Sequence, residues 1–80
     1  MDNTELLKKV QSLQRRIKRC SISMNIDYTI NDAGRSSIDV YVHSGGAHCE
    51  RFTFSCYSDN DFQMIYLKEH LKEIRAFKNE

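Results

Sequence analysis

Four side chains near the middle of the chain are of the types that bind metals or act as nucleophiles: His43, His48, Cys49 and Cys56. Zinc sites place their ligands in close pairs such as C-x2-C or H-x3-H. His48 and Cys49 are instead adjacent, so in a strand they would point to opposite faces. We therefore expect no metal site and no cofactor. The sequence also has no G-x-S-x-G, H-E-x-x-H or glycine-rich phosphate loop, and we expect no enzymatic activity.

A second group of residues has the chemistry to bind phosphates. The formal net charge is only +1, but residues 1–20 hold half of the 12 lysines and arginines and only two acids, Asp2 and Glu5. On a helix these cations fall opposite an apolar stripe. Such a basic face suits a nucleic acid or an acidic protein surface, and it is equally typical of a solvated helix. The candidate nucleic-acid-binding residues are Lys8, Lys9, Arg15, Arg16 and Arg19.

A third group forms a polar face across three predicted strands. This face is rich in tyrosine, serine, asparagine and aspartate and poor in lysine and glutamate, a mixture typical of protein-binding surfaces. Its expected members are Ser21, Ser23, Asn25, Asp27, Thr29, Ser37, Asp39, Tyr41, His43, Arg51, Thr53, Ser55 and Tyr57. From this face and the neighbouring turn we predict the residues that contact a protein partner, which are Asp27, Asp32, Asp39, Tyr41 and Tyr57.

The basic residues depend on a first helix, predicted over residues 4–19. Apolar residues recur there at the three- and four-residue spacing of one helix face. They are Leu6, Val10, Leu13, Ile17 and Cys20. We expect Cys20, and Cys56 on the apolar side of the third strand, to behave as small core residues.

The polar face depends on strands predicted over residues 21–30, 36–43 and 48–57. Apolar and polar residues alternate in each segment, which indicates strands with one buried face and one wet face. Turn-forming residues at 31–34 and 44–46 separate the strands. The three strands therefore form an antiparallel meander.

A second helix is predicted over residues 59–78, because Ser58 and Asp61 fit a capping box. Its expected inner stripe is Gln63, Tyr66, Leu67, His70, Leu71, Ile74 and Phe77. The 80 residues then make one α+β domain, a two-layer α-β-β-β-α sandwich with both helices on the apolar face of the sheet.

The apolar runs, the start of the chain and the cysteines indicate the cellular compartment of the protein. The apolar runs are too short to span a membrane, and the polar start does not resemble a signal peptide. Cys20, Cys49 and Cys56 are an odd number without paired spacing. We therefore expect free thiols in a cytoplasmic protein.

The element order resembles that of the double-stranded RNA-binding domain, in which helix 1, the first hairpin loop and a basic start of helix 2 contact RNA. Here the start of helix 2 reads Ser58-Asp59-Asn60-Asp61, and the loop holds Asp32. The layout also resembles small phage-encoded inhibitors of host defence of the anti-CRISPR type, although no motif is shared. That resemblance implies a protein-binding inhibitor of a larger host protein or nucleoprotein complex. Nucleic-acid binding through helix 1 is the alternative, and the helical stripes also allow a homodimer.

Overall fold

The helices and strands occur in the predicted order. The computed structural model describes residues 4–46, 48–55 and 59–78. The three strands form one antiparallel sheet in the order β1-β2-β3, so the predicted α+β class and α-β-β-β-α order are confirmed. The elements are α1 Thr4–Arg16, β1 Ser23–Ile30, β2 Ser36–His43, β3 Cys49–Phe54 and α2 Asn60–Glu73.

The core lies against the central strand, β2, which begins and ends where the alternation predicts. Ile38, Val40 and Val42 point to the same side of β2 and are fully buried. They belong to one hydrophobic cluster with residues of both helices, which shows that both helices cover this side of the sheet. The helical members of the cluster are Val10, Leu13, Leu67 and Leu71.

The first hairpin turn forms at the predicted place. The Asn31 N–H donates to the Arg35 carbonyl, and the Gly34 N–H donates back to the Asn31 carbonyl, both at 2.9 Å. Gly34 has a φ of 77°, which a side chain would disfavour. This three-residue loop ending in a left-handed glycine sets the register of β1 against β2.

The first helix is shorter than predicted. It ends at Arg16 rather than at residue 19, and β1 begins at Ser23 rather than at residue 21. The Lys18 and Arg19 N–H groups donate to the carbonyl of Ala76, at 2.8 and 3.4 Å, instead of continuing the helix. This tertiary contact with residues 74–78, the C-terminal segment, therefore ends α1.

Because α1 ends early, the last residue of its predicted apolar stripe is not buried. Cys20 is exposed, so its predicted place in the core is wrong. The chain turns through residues 20 and 21, so Cys20 no longer follows the helical stripe. Ile22 is buried, as its place on the apolar side of the predicted first strand requires. Cys56 lies outside the described residues.

The third strand ends at Phe54 rather than at residue 57. The Ser55 N–H donates to Asn60 Oδ1 at 3.2 Å, so the chain turns here toward α2. The N-cap of α2 is Asp59, whose carboxylate accepts the Phe62 N–H at 3.2 Å. Ser58, the predicted cap, lies outside the described residues.

The second helix buries part of its predicted stripe. Leu67 and Leu71 are fully buried, but Tyr66 is 55% exposed. The helix ends at Glu73 rather than at residue 78. Ala76, which a longer helix would point outward, is fully buried because the chain reverses before it.

The helices do not cover the whole apolar face of the sheet. On β1, Met24 is 4% exposed, but Tyr28 is 39% and Ile30 is 62% exposed. These residues share one side of the strand, so the cover fails progressively toward the first hairpin turn. The expectation of a uniformly buried apolar face is wrong at this end.

A Schellman motif ends α2, and an arginine occupies the position where glycine is usual. The Ala76 N–H donates to the Leu71 carbonyl at 2.9 Å, and the Arg75 N–H donates to the Lys72 carbonyl at 3.1 Å. Arg75 occupies the left-handed position of the motif, with a φ of 57°. Glycine is the usual residue there because it has no Cβ.

We predict that Arg75→Gly raises the free energy of unfolding by about 0.5–1 kcal/mol, since the relieved left-handed strain exceeds the extra entropy of the unfolded glycine chain. Urea or thermal unfolding measures this change. Arg75→Ala is the matched control, because it removes the same side chain but keeps the Cβ. An equal gain in both variants would contradict the backbone explanation.

Candidate functional site

Register brings the predicted contact residues of β1 and β2 onto one polar face. Asp27 lies opposite Asp39, which in turn lies opposite Thr53. In the next row, Tyr41 of β2 lies opposite Arg51 of β3. The polar sheet face therefore consists, in the described strands, of Ser23, Asn25, Asp27, Thr29, Ser37, Asp39, Tyr41, His43, Cys49, Arg51 and Thr53.

Asp39 is the centre of the hydrogen bonding on this face. Its Oδ1 accepts the Thr53 hydroxyl at 2.8 Å and the Arg51 Nη2 at 3.2 Å. The Asp39 side chain is 19% exposed and that of Arg51 is 60% exposed. Two donors from β3 therefore hold a carboxylate of β2 in place.

Arg51 links this carboxylate to an aromatic ring. The hydrogen bond to Asp39, followed by the charge of that carboxylate, raises the pKa of the Arg51 guanidinium above its ordinary value. The guanidinium carbon lies 5.8 Å from the centre of the Tyr41 ring, within the range of a cation–π contact. Asp39, Arg51 and Tyr41 thus form a connected group across β2 and β3.

Asp27 has a different environment from Asp39. It is exposed and lies directly across from Asp39, an arrangement of like charges that destabilises a sheet. Because Arg51 and Thr53 bind Asp39, that carboxylate is partly compensated within the sheet. Asp27 therefore presents its charge to solvent.

A shallow depression of about 400 Å³ lies where the polar sheet face meets the first hairpin turn. The hydroxyls of Thr29 and Ser37 share a hydrogen bond of 2.9 Å within it. Eight of its ten lining residues carry a hydroxyl or a charge, so a bound molecule would meet several hydrogen-bonding groups there. The lining residues are Thr29, Ile30, Asn31, Arg35, Ser36, Ser37, Asp39, Arg51, Thr53 and Ser55.

Asp32 lies beside this depression in the hairpin turn. The Asn31 side chain accepts the N–H groups of Ala33 and Arg35, both at 3.0 Å, and so fixes the turn. Asp32 is exposed there. Tyr57, the last predicted contact residue, lies outside the described residues.

The residues considered for a metal site are only partly brought together. His43 and Cys49 are opposite each other, with 3.8 Å between the His43 Nε2 and the Cys49 Sγ. Within the residues that the structure describes, no three His, Cys, Asp or Glu side chains form a group that could hold a metal ion.

The structure divides the basic residues of the first helix into two sets. Lys8, Lys9 and Arg15 are exposed on α1. Arg16 is also exposed, but its guanidinium carbon lies 4.5 Å from the centre of the Phe77 ring. Arg19 lies beyond the helix and donates from Nη1 to the Ile74 carbonyl at 3.1 Å, so the last two cations bind the C-terminal segment.

Thr53 and Arg51 were not among the predicted contact residues, although they organise the polar sheet face. The signal that could have found them is the length of the two hairpin loops, which determines the residue pairs across the sheet. That register pairs Asp39 with Thr53 and brings Arg51 within reach.

We predict that Thr53→Val lowers the free energy of unfolding by about 1 kcal/mol, because it removes a hydroxyl donor to Asp39 without changing the shape of the side chain. Denaturant unfolding measures the loss. Thr53→Ser is the control, since it keeps the hydroxyl, and it should retain most of the stability. Equal losses in the two variants would show that the methyl group, not the hydrogen bond, is responsible.

Comparison with protein-family models, curated proteins and solved structures finds no significant match to this chain in any of the three. No helix among the described residues has the length and apolar character needed to cross a membrane.

Proposed function

We propose that this chain is a protein-binding module without catalytic activity, and that the polar sheet face is its contact surface. The observation that carries the proposal is the connected group of Asp39, Arg51 and Tyr41. These side chains are already held by one another and by the sheet. A partner would therefore meet groups that lose less conformational entropy on binding than side chains without such contacts would.

The composition of the face supports the same proposal. Tyrosine and arginine are enriched among the residues that dominate binding energies at protein interfaces. Tyr41 on the central strand lies opposite Arg51 on β3, so a partner that covers the polar sheet face would exclude water from both. Serine, threonine and asparagine around them supply adaptable hydrogen bonds.

The exposed acids indicate the charge of the partner. Asp27 and Asp32 are exposed, while Asp39 is engaged by Arg51. Two exposed acidic side chains, one on the polar sheet face and one in the hairpin turn, favour a basic protein surface, such as a channel that normally receives nucleic acid. We propose an inhibitory role, similar to that of anti-CRISPR proteins, against a larger nucleic-acid-handling or defence complex in the cytoplasm.

The alternative is nucleic-acid binding through α1. Exposure of Lys8, Lys9 and Arg15 on this helix favours it. The contacts of Arg16 and Arg19 with the C-terminal segment weigh against it, because they occupy parts of the two guanidinium groups that phosphates would otherwise contact. The two functions use different surfaces, so substitutions separate them.

We predict that Tyr41→Ala weakens binding of a captured protein partner about 30-fold or more, as expected for an aromatic residue at the centre of an interface. Asp27→Lys should weaken it as well, and more strongly at low salt. The partner is captured from a nuclease-treated lysate of a candidate host, and affinities are then measured with the purified protein.

Arg15→Glu is the matched control for Asp27→Lys, since both residues are exposed and both substitutions reverse a charge, but Arg15 lies on α1. It should leave partner binding largely unchanged. If Arg15→Glu abolishes binding and Tyr41→Ala does not, or if capture requires intact nucleic acid, the alternative function replaces the proposed one.

A further inference from the structure

The outer edge of β1 lacks the protection usual for an edge strand. No described strand lies beyond it in the sheet. Edge strands generally carry lysine, proline or a bulge that prevents pairing with another chain. The sequence of β1, SMNIDYTI, has none of these residues and only one charge, Asp27. By contrast, the other edge strand, β3, is shorter and carries Glu50 and Arg51.

The hydrogen bond at the hairpin turn shows which backbone groups face this edge. The Asn31 N–H donates to the Arg35 carbonyl of the opposite strand. Because bonded pairs alternate along an antiparallel ladder, the odd-numbered residues of β1 bond to β2. The N–H and C=O groups of the even-numbered residues therefore point outward.

A contact of α1 confirms this orientation and limits the open edge. The Gln14 side chain donates from Nε2 to the Met24 carbonyl at 2.7 Å. The outward carbonyl of Met24 thus already accepts a hydrogen bond. The stretch from Ile26 to Ile30 lies beyond this contact with α1. The open part of the edge begins at Ile26.

Exposed apolar side chains occur in the same stretch. Tyr28 is 39% and Ile30 is 62% exposed, and Ile26 is partly buried. These are the residues whose backbone groups point outward. Outward-facing backbone and uncovered apolar surface therefore coincide on one short segment.

We propose that this segment pairs with the same segment of a second copy of the chain, β1 antiparallel to β1, with Tyr28 opposite Tyr28 of the second copy. Ile26 of each copy then lies opposite Ile30 of the other copy. Each of these pairs can exchange both of its backbone hydrogen bonds. The apolar faces of the two sheets remain on one side, so Tyr28 and Ile30 pack against their counterparts.

Two observations argue against the neighbouring register on the Met24 side. A shift of one residue along each strand toward Met24 would require the Met24 carbonyl, which Gln14 occupies. The same shift would place Asp27 opposite Asp27 of the second copy, which is a pair of like charges. In the proposed register Asp27 lies opposite the neutral hydroxyl of Thr29.

The match of the segment to itself favours a second copy over a foreign peptide. Apolar residues meet apolar residues, and the twofold arrangement closes without leaving a new edge. The two polar sheet faces become one continuous surface. Pairing of β1 with a second copy does not depend on what the polar sheet face binds.

Sedimentation analysis of the whole chain, from about 1 µM to about 1 mM, covers the range of weak association. The monomer has a mass of 9.4 kDa, and we expect a shift toward twice that mass with concentration. Ile30→Lys should weaken the dimer about tenfold or more, because it removes apolar contact and adds a charge at the edge. Ile65→Lys is the control, since Ile65 is 51% exposed on α2, and it should leave the dimer intact.

Amide hydrogen exchange tests directly whether the outer edge of β1 is the paired edge. The amides of Ile26, Tyr28 and Ile30 should gain protection as concentration rises, while those of Asp27 and Thr29, which bond to β2, should be protected at all concentrations. A chain that stays monomeric throughout overturns the proposal. So does a dimer that Ile65→Lys dissociates, or one that forms without added protection of the even-numbered amides.

Discussion

Burial of one face of β2 is the constraint on which the rest of the structure depends. Ile38, Val40 and Val42 are fully buried, and removing such side chains from water is the main favourable contribution to folding in so small a domain. Both helices are needed to cover this face, and their buried residues join its cluster. The opposite face has no such requirement, so its polar side chains are free to form their own contacts.

Those contacts give the polar sheet face an internal order. The core fixes the strands and their register, and the register places Arg51 and Thr53 around Asp39. A carboxylate that would otherwise repel Asp27 is compensated within the sheet. The result is a face with an ordered centre at Tyr41 and Arg51 and an exposed acid at Asp27.

The C-terminal segment determines where α1 ends, and the last turn of α1 contacts the edge of the sheet. Ala76 is buried, and its carbonyl accepts from Lys18 and Arg19. This contact ends α1 early and binds part of the basic residues. Gln14, in the last turn of the helix, then lies where it caps the Met24 carbonyl. Beyond that cap, neither helix covers Tyr28 and Ile30.

Local pattern determined the element order, the extent of β2 and the separation of an apolar from a polar sheet face, because alternation and helical spacing are properties of neighbouring residues. Only the tertiary structure decided where α1 ends, why Cys20 is exposed while Ala76 is buried, and which side chains surround Asp39. Each of these depends on groups distant in sequence: the Ala76 carbonyl for α1, and β3 for Asp39. A pattern along the chain does not contain such contacts, which exist only once the sheet and both helices are assembled.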